Sequence, residues 1–172
     1  MKLTERVDLP RRKIHWKQAG LILACTVVIV ALWSTWVVYP LKILVVFFHE
    51  LSHGLAALAT GGRIVEVQVD AGEGGMCLTD GGSRFISLSA GYLGSLIFGG
   101  VLLLGASHMK HKNIPTLIMG LVIFVATLLW VRPWHSFGFF FGLGAGIAFV
   151  AAAQKLSKDV NGYILTVIGL TS

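Results

Sequence analysis

Charged residues are scarce in this sequence: Asp, Glu, Lys and Arg make up 13% of the 172 residues, whereas hydrophobic residues make up 55%. A soluble domain carries about 25% charged residues, so there is too little polar surface to cover a water-soluble body of this size. The same composition excludes a disordered chain. The only two cysteines are Cys25 and Cys77, which excludes a disulfide-built secreted domain, and we expect no disulfide between them. The remaining class is a polytopic membrane protein.

Basic residues are concentrated at the start of the chain. The formal net charge is +6, and six of the fourteen Lys and Arg residues lie within residues 1–17. Beside a long apolar run, such a cluster predicts a cytoplasmic tail that faces anionic lipid headgroups. No aromatic-interleaved basic stripe follows, so nucleic acid is not an expected partner. The glycines of residues 72–75 do not precede a Lys-Ser/Thr helix start, so no nucleotide site is expected.

Apolar runs predict the membrane spans, because a spanning helix needs about 20 mostly apolar residues. The fold class expected is an all-α polytopic membrane protein with five complete transmembrane helices, a partial sixth, and a short β-hairpin after the second. The predicted complete spans are residues 18–38, 41–60, 85–106, 114–131 and 134–153. Residues 162–170 are apolar but too few to cross a bilayer, so the sequence ends like an interrupted helix, which suggests a shortened form or a fragment.

Residues 61–83 form the one polar island in a single domain that spans residues 1–172. Val65, Val67 and Val69 alternate with polar residues, which is the period of a β-strand. Residues 70–75 are rich in glycine and typical of a turn, and residues 76–79 are suited to a return strand. The island is therefore predicted to be a hairpin.

Residues 49–53 read HELSH, the pattern H-E-x-x-H, within the second predicted span. Residues four apart share one face of a helix, so His49 and His53 can bind the same Zn²⁺ ion. Glu50 is turned toward the water that such an ion holds and can act as a general base in peptide hydrolysis. Ionisable groups at membrane depth cost about 2–3 kcal/mol each without a partner. One metal ion would offset this cost for His49, Glu50 and His53 together.

A polar helix face that lines a water-filled cavity, or a proton relay, is the alternative interpretation of these residues. A zinc site also needs a third protein ligand, and the residues leave its identity open. Asp70 and Asp80 are typical of turns, and Asp159 lies in a polar loop. His135 opens the fifth predicted span and is expected at the membrane interface.

The stretch FFHELSHG, residues 47–54, resembles the zinc-binding helix of the site-2 protease family of intramembrane zinc metallopeptidases, in particular its small branch without PDZ domains. The stretches TGGR at residues 60–63 and SAGYLGS at residues 89–95 fit the same family, as does the turn at Gly74 and Gly75. The resemblance is strongest over residues 47–99. Many members carry a Pro and an Asn in the helix that corresponds to the third predicted span. Both are absent here, and Tyr92 and Ser95 lie near those positions.

This resemblance implies that His49 and His53 are zinc ligands and that Glu50 is the general base. It also implies that the hairpin reaches back toward the site and pairs with an extended substrate strand, through edge groups at Val65, Val67 and Val69. The family's third ligand is an Asp on a later membrane helix, expected just past an apolar segment like residues 164–172, where this sequence ends.

The function expected is zinc-dependent intramembrane proteolysis of a transmembrane protein substrate. The alternative is an inactive relative or partner-binding subunit that keeps the zinc helix, and the third choice is an ion or proton transporter. With the N-terminus inside, 9 Lys and Arg residues fall inside and 5 outside. This count and the family's orientation both predict a cytoplasmic N-terminus. The expected location is a bacterial inner membrane, with the chain as an integral multi-pass protein.

Overall fold

A computed structural model describes the backbone of residues 16–172 and the side chains of residues 20 and 22–172. The predicted basic tail, residues 1–17, lies outside the described residues except for the backbone of its last two. Six helices and one hairpin follow along the chain. They are α1 (Trp16–Ala31), α2 (Tyr39–Ala59), β1 (Arg63–Val69), β2 (Gly75–Asp80), α3 (Arg84–His108), α4 (Asn113–Trp130), α5 (Phe137–Lys155) and α6 (Lys158–Thr171).

Four of these helices, α2 to α5, have the length and apolar composition needed to cross a bilayer. The predicted count of five complete spans is not confirmed, because α1 ends at Ala31 and residues 32–38 form turns instead of helix. Both the hydroxyl and the amide N–H of Thr35 donate to the carbonyl of Leu32, at 2.7 and 2.8 Å. These bonds close a turn between residues 32 and 35, in place of the i to i−4 hydrogen bonds that would continue the helix.

Large apolar side chains of α2 occupy the centre of the bundle. Ile43, Phe47 and Phe48 are all less than 2% exposed, and Ile123 of α4 and Leu165 of α6 are buried in the same cluster. Helix α2 packs chiefly against α3, α4 packs against α5, and α6 packs against α3. The element that carries the candidate metal ligands is therefore the most buried of the four candidate spans.

Small residues allow the other helices to approach one another closely. A Cβ atom on Gly146 of α5 would lie 2.8 Å from the Cβ of Phe124 of α4. A Cβ atom on Gly99 of α3 would lie 2.7 Å from the carbonyl oxygen of Gly169 of α6. Lipid tails are as apolar as the side chains, so the hydrophobic effect does not drive helix association in a bilayer. Close backbone approach instead stabilises association through van der Waals packing.

The predicted hairpin is confirmed, and it lies along α2. Strands β1 and β2 are antiparallel, with a register shift between Ile64 and Glu66. The base of the hairpin contacts the C-terminal end of α2, where Gly82 lies against Ala57. The tip reaches the first turns of α2, where the Tyr39 hydroxyl donates to the carbonyl of Ala71 at 2.7 Å.

Two further contacts hold the hairpin tip. Lys42 of α2 forms an ion pair of 3.1 Å with Glu73 in the turn. Within the turn, a carboxylate oxygen of Asp70 accepts hydrogen bonds from the amides of Gly72 and Gly74, at 2.7 and 3.2 Å. Asp70 is therefore a turn residue, as the sequence predicts.

The outer edge of β1 is covered by the connection between α4 and α5. Val67 and Val131 form a parallel bridge, and the amide of Arg132 donates to the carbonyl of Val67 at 3.0 Å. Strand β1 therefore lies between β2 on one side and residues 131–132 on the other.

Candidate metal centre

His49 and His53 occupy successive turns of α2, and their rings meet edge to face. The two Nε2 atoms lie 3.1 Å apart, and the ring planes make an angle of 83°. Two nitrogens that each bind a tetrahedral zinc ion at about 2.05 Å lie about 3.3 Å from one another. The spacing of this donor pair therefore suits one zinc ion.

The backbone of α3 fixes the tautomer of His53. Its Nδ1 lies 2.6 Å from the carbonyl oxygen of Ser87, and only Nδ1–H can donate to a carbonyl. The Nε2 atom of the neutral ring therefore carries the lone pair that a metal requires. The Ser87 hydroxyl in turn donates to the carbonyl of His53 at 3.0 Å, so the two helices are joined at the ligand itself.

Gly91 provides the space for both imidazoles. A Cβ atom at this position would lie 2.6 Å from the Nε2 of His49 and closer still to the Nε2 of His53. The ring of Tyr92 meets His49 edge to face, with centroids 4.6 Å apart. The missing side chain of Gly91 thus leaves a space beside the Nε2 atoms of both histidines that a Cβ atom would fill.

Glu50 is 7% exposed and lies against the hairpin. A Cβ atom on Gly75, the first residue of β2, would lie 2.8 Å from the Oε1 of Glu50. Helix α2 therefore presents its carboxylate toward β2 and its imidazoles toward α3. The base and the ligands of the H-E-x-x-H pattern have different neighbours.

A half-polar groove of about 790 Å³ joins these two sides. Glu50 and His53 lie in its wall, together with residues 75, 77–79, 81 and 82 of the hairpin and the first turns of α3. A peptide that enters this groove would contact both the carboxylate and one histidine.

Strand β2 presents its unpaired edge to the groove. Residue pairs in an antiparallel ladder alternate in the direction of their hydrogen bonds. Val67 directs its carbonyl away from β2, so its partner Cys77 directs its N–H and C=O away from β1. Within residues 16–172, residues 75–79 form no backbone hydrogen bond beyond the β1–β2 ladder. Gly75 and Cys77 are therefore available to pair with an added strand.

The edge of β1, which is expected to bind the substrate, is partly occupied within the protein. Val67 and Val69 are 2% and 3% exposed, and the outward carbonyl of Val67 is already bonded to Arg132. Val65 is 49% exposed but does not line the groove. The contact between Gly75 and Glu50 is not predicted from the sequence, because a contact across 25 positions leaves no local signal.

Cys77 shares the environment of Glu50. Burial of the thiol, and to a lesser extent the nearby Glu50 carboxylate, raise the pKa of Cys77 to about 11. The thiol is consequently protonated at neutral pH and is a poor nucleophile. Cys25 and Cys77 are both free, as expected.

The candidate third ligands lie away from the histidines. Asp80 forms an ion pair of 2.6 Å with Arg63, and Asp159 lies 3.8 Å from Lys112. His135 is exposed in the connection between α4 and α5. In the part of the chain that the structure describes, no three His, Cys, Asp or Glu side chains come together as a metal site. The histidine pair fits two positions of a zinc site, and these residues supply no third.

Comparison with known families gives one match that covers most of the chain. A family described as Peptidase M50B-like matches residues 22–172. Comparison with curated proteins and with solved structures gives no match.

Proposed function

This chain belongs to the Peptidase M50B-like family, and from that membership we propose that it is a zinc-dependent intramembrane protease. The observation that carries the proposal is the pair of Nε2 atoms 3.1 Å apart beside Gly91, with a buried carboxylate one residue away. The substrate class proposed is a transmembrane protein that enters the bilayer-embedded groove as an extended segment. The membrane proposed is a bacterial inner membrane, with the N-terminus in the cytoplasm.

His49 and His53 would hold the zinc ion through their Nε2 atoms. When bound, zinc would polarise the scissile carbonyl and lower the pKa of water to about 7. Ser87 keeps the proton of His53 on Nδ1 through the 2.6 Å contact to its carbonyl, which orients the ring and increases its basicity.

Glu50 would move the protons of the reaction. Its carboxylate takes a proton from the attacking water and returns it to the leaving amide nitrogen. The Oε1 atom of Glu50 lies beside Gly75, and Glu50 lines the groove. Glycine at the start of β2 gives the carboxylate room beside the backbone of a bound strand.

The edge of β2 would position the substrate. A transmembrane helix must unwind before its carbonyls can reach a catalytic site, and an added strand recovers the backbone hydrogen bonds that unwinding removes. Gly75 and Cys77 lie in the same groove as Glu50 and His53. A strand paired with them would run past the candidate base.

Two sets of variants test this proposal. We expect purified protein to contain zinc, and His49→Ala or His53→Ala to lose it, whereas His135→Ala in the exposed connection retains it. Glu50→Gln should lower cleavage of a co-expressed membrane reporter by at least about 100-fold, with zinc content and melting temperature unchanged. Glu66→Gln on β1, the matched control, should cleave normally. Normal cleavage by Glu50→Gln would remove the enzyme hypothesis.

An inactive membrane relative that keeps the zinc helix for partner binding is the second candidate. The observation in its favour is that residues 16–172 supply only two grouped metal-ligating side chains. Zinc bound at one ion per chain, together with no cleavage by the parent protein of any tested reporter, would favour this alternative.

A further inference from the structure

Arg84 is a basic side chain without an acidic partner at the groove. It is the first residue of α3, it is exposed, and it lines the same groove as Glu50 and His53. Of the other basic residues around the hairpin, Lys42 pairs with Glu73 and Arg63 with Asp80. The Arg132 guanidinium, outside the groove, donates to backbone carbonyls of residues 128, 129 and 131. Across residues 16–172, no carboxylate lies within ion-pair distance of Arg84.

One face of α3 connects Arg84 to the histidines. Residues 84, 87, 88 and 91 are spaced at i, i+3, i+4 and i+7, so they lie along a single face of the helix. Gly91 contacts both imidazoles, Ser87 is bonded to His53, and Leu88 lines the groove beyond them. This face therefore forms one wall of the groove, and Arg84 is at its outer end.

The length of this wall sets a spacing. Seven residues of helix at 1.5 Å per residue separate Arg84 from Gly91 by about 10 Å along the axis. An extended peptide rises about 3.3 Å per residue. A substrate strand whose scissile bond lies at the histidines would therefore place a side chain about three residues away beside Arg84.

The electrostatic environment at this end of the groove favours an anion. A cation at a helix N-terminus is unfavourable because it meets the positive end of the helix dipole. The first turn of α3 contains no acidic residue to offset Arg84. An incoming carboxylate would thus be attracted by the Arg84 guanidinium and by the positive end of the helix dipole. No carboxylate of residues 16–172 would compete with it for Arg84.

We propose that Arg84 is a specificity-determining residue that selects substrates with an Asp or Glu about three residues from the scissile bond, on the side that points toward the end of β2. This inference rests on the proposed function for the meaning of the scissile bond. The contact itself is a property of substrate binding and does not require catalysis.

Binding to the Glu50→Gln protein tests the contact without cleavage. The probes are three fluorescein-labelled nine-residue peptides of Thr and Val, identical except for Glu, Gln or Lys three residues from the centre, in neutral detergent. By fluorescence anisotropy, we expect the Glu peptide to bind about two- to fivefold more tightly than the Lys peptide, the range of an exposed ion pair. When Arg84→Glu is combined with Glu50→Gln, the Lys peptide should bind more tightly than the Glu peptide.

Lys110→Glu is the matched control, since it makes the same charge change in an exposed loop outside the groove. It should leave the order of the three peptides unchanged. Equal affinities for the three peptides, no measurable binding, or an equal effect of Arg84→Glu on all three would each overturn the inference. An equal effect would indicate a contact with lipid headgroups or a structural role.

Cleavage by the parent protein separates the two proposals. Mass spectrometry of the Glu peptide should locate the cut about three residues from the acidic side chain. If the charge preference in binding is present but the parent protein cuts no peptide, the proposed proteolysis fails while the role of Arg84 in binding stands. If the parent protein cuts the peptides without any charge preference, the role of Arg84 fails and the proposed proteolysis stands.

Discussion

Single glycines decide the geometry of this site. On α3, the small residues Ser87, Gly91, Ser95 and Gly99 recur every four residues and form one row along the helix. Their partners differ from one turn to the next: Gly91 contacts the imidazoles of α2, whereas Gly99 contacts Gly169 of α6. One row therefore serves both the metal centre and ordinary helix packing, and only the structure distinguishes the two roles.

Gly91→Ala is predicted to weaken zinc binding by about tenfold or more, the scale expected when support around a metal ligand is lost. The reason is that the added methyl group would lie 2.6 Å from the Nε2 of His49 and displace both rings. Zinc titration of the purified variant measures the effect.

Gly100→Ala is the control, because a Cβ atom there meets nothing within 4 Å. On the same helix it should keep its zinc and gain up to about 1 kcal/mol in stability from helix propensity. Equal zinc affinity in the two variants would contradict the role given to Gly91.

The sequence identifies the principal residues of the candidate centre but not their neighbours. His49, Glu50 and His53 form a local pattern whose spacing has a direct meaning on a helix. Ser87 lies 34 positions from His53, and its contribution is a backbone carbonyl, which every residue possesses. Sequence alone gives no reason to select that carbonyl over any other.

At the scale of elements, the hairpin is both the clearest success and the clearest limit of prediction. Alternating valines and a glycine-rich turn predict two strands, and the structure contains them. Its position along α2 depends on Tyr39, Lys42 and Gly54, which no strand pattern includes. The covered edge of β1 likewise depends on Arg132, 65 positions away from Val67.

Tyr39→Phe is predicted to loosen the hairpin tip. The variant removes the 2.7 Å hydrogen bond to the carbonyl of Ala71 and keeps the ring. A bond of this kind contributes about 0.5–1.5 kcal/mol, so amide exchange over residues 70–79 should accelerate by about two- to tenfold.

Tyr163→Phe on α6 is the matched control, since Tyr163 is 53% exposed and lies outside the hairpin. Hydrogen-exchange mass spectrometry compares the two variants. Unchanged protection of the hairpin in Tyr39→Phe would show that the ion pair of Lys42 with Glu73 and the strand contacts are sufficient without it.

Helix ends were predicted less well than helix existence. The apolar run of residues 18–38 suggests a full span, but hydropathy does not register the turn that Thr35 closes on Leu32. Conversely, α6 begins at Lys158, four residues before the predicted apolar run, because Ser157 caps it by accepting a hydrogen bond from the amide of Val160. Polar capping residues extend a helix beyond its apolar core.

At the scale of the whole molecule, the order of the helices divides the connections between two sides. In the predicted topology, the hairpin and the connection after α4 face the cytoplasm, and the α3–α4 and α5–α6 connections face the opposite side. Lys110, Lys112, Lys155 and Lys158 belong to the second side, so the basic tail decides the predicted orientation.

Cysteine labelling of whole cells tests this orientation. In a background without Cys25 and Cys77, Lys110→Cys should react with a membrane-impermeant maleimide, and Trp134→Cys should be protected. Replacing the tail cations by glutamine should give mixed labelling of both sites, because the remaining charges favour the opposite orientation. The substituted residues are Lys2, Arg6, Arg11, Arg12, Lys13 and Lys17.

The control replaces Lys155 and Lys158 by glutamine, which removes charge from the predicted outer side and should leave the labelling pattern unchanged. Protection of Lys110→Cys together with labelling of Trp134→Cys in the intact protein would contradict the predicted orientation.

The unpaired edge of β2 has a consequence for hydration. It lies beside a helix in an apolar bundle, and in hydrocarbon each unpaired N–H or C=O group costs several kcal/mol. Gly75 and Cys77 must therefore be solvated whenever no peptide occupies the groove. The proposed peptide hydrolysis consumes one water molecule for each bond cut, and water bound to this strand backbone would lie in the same groove as Glu50.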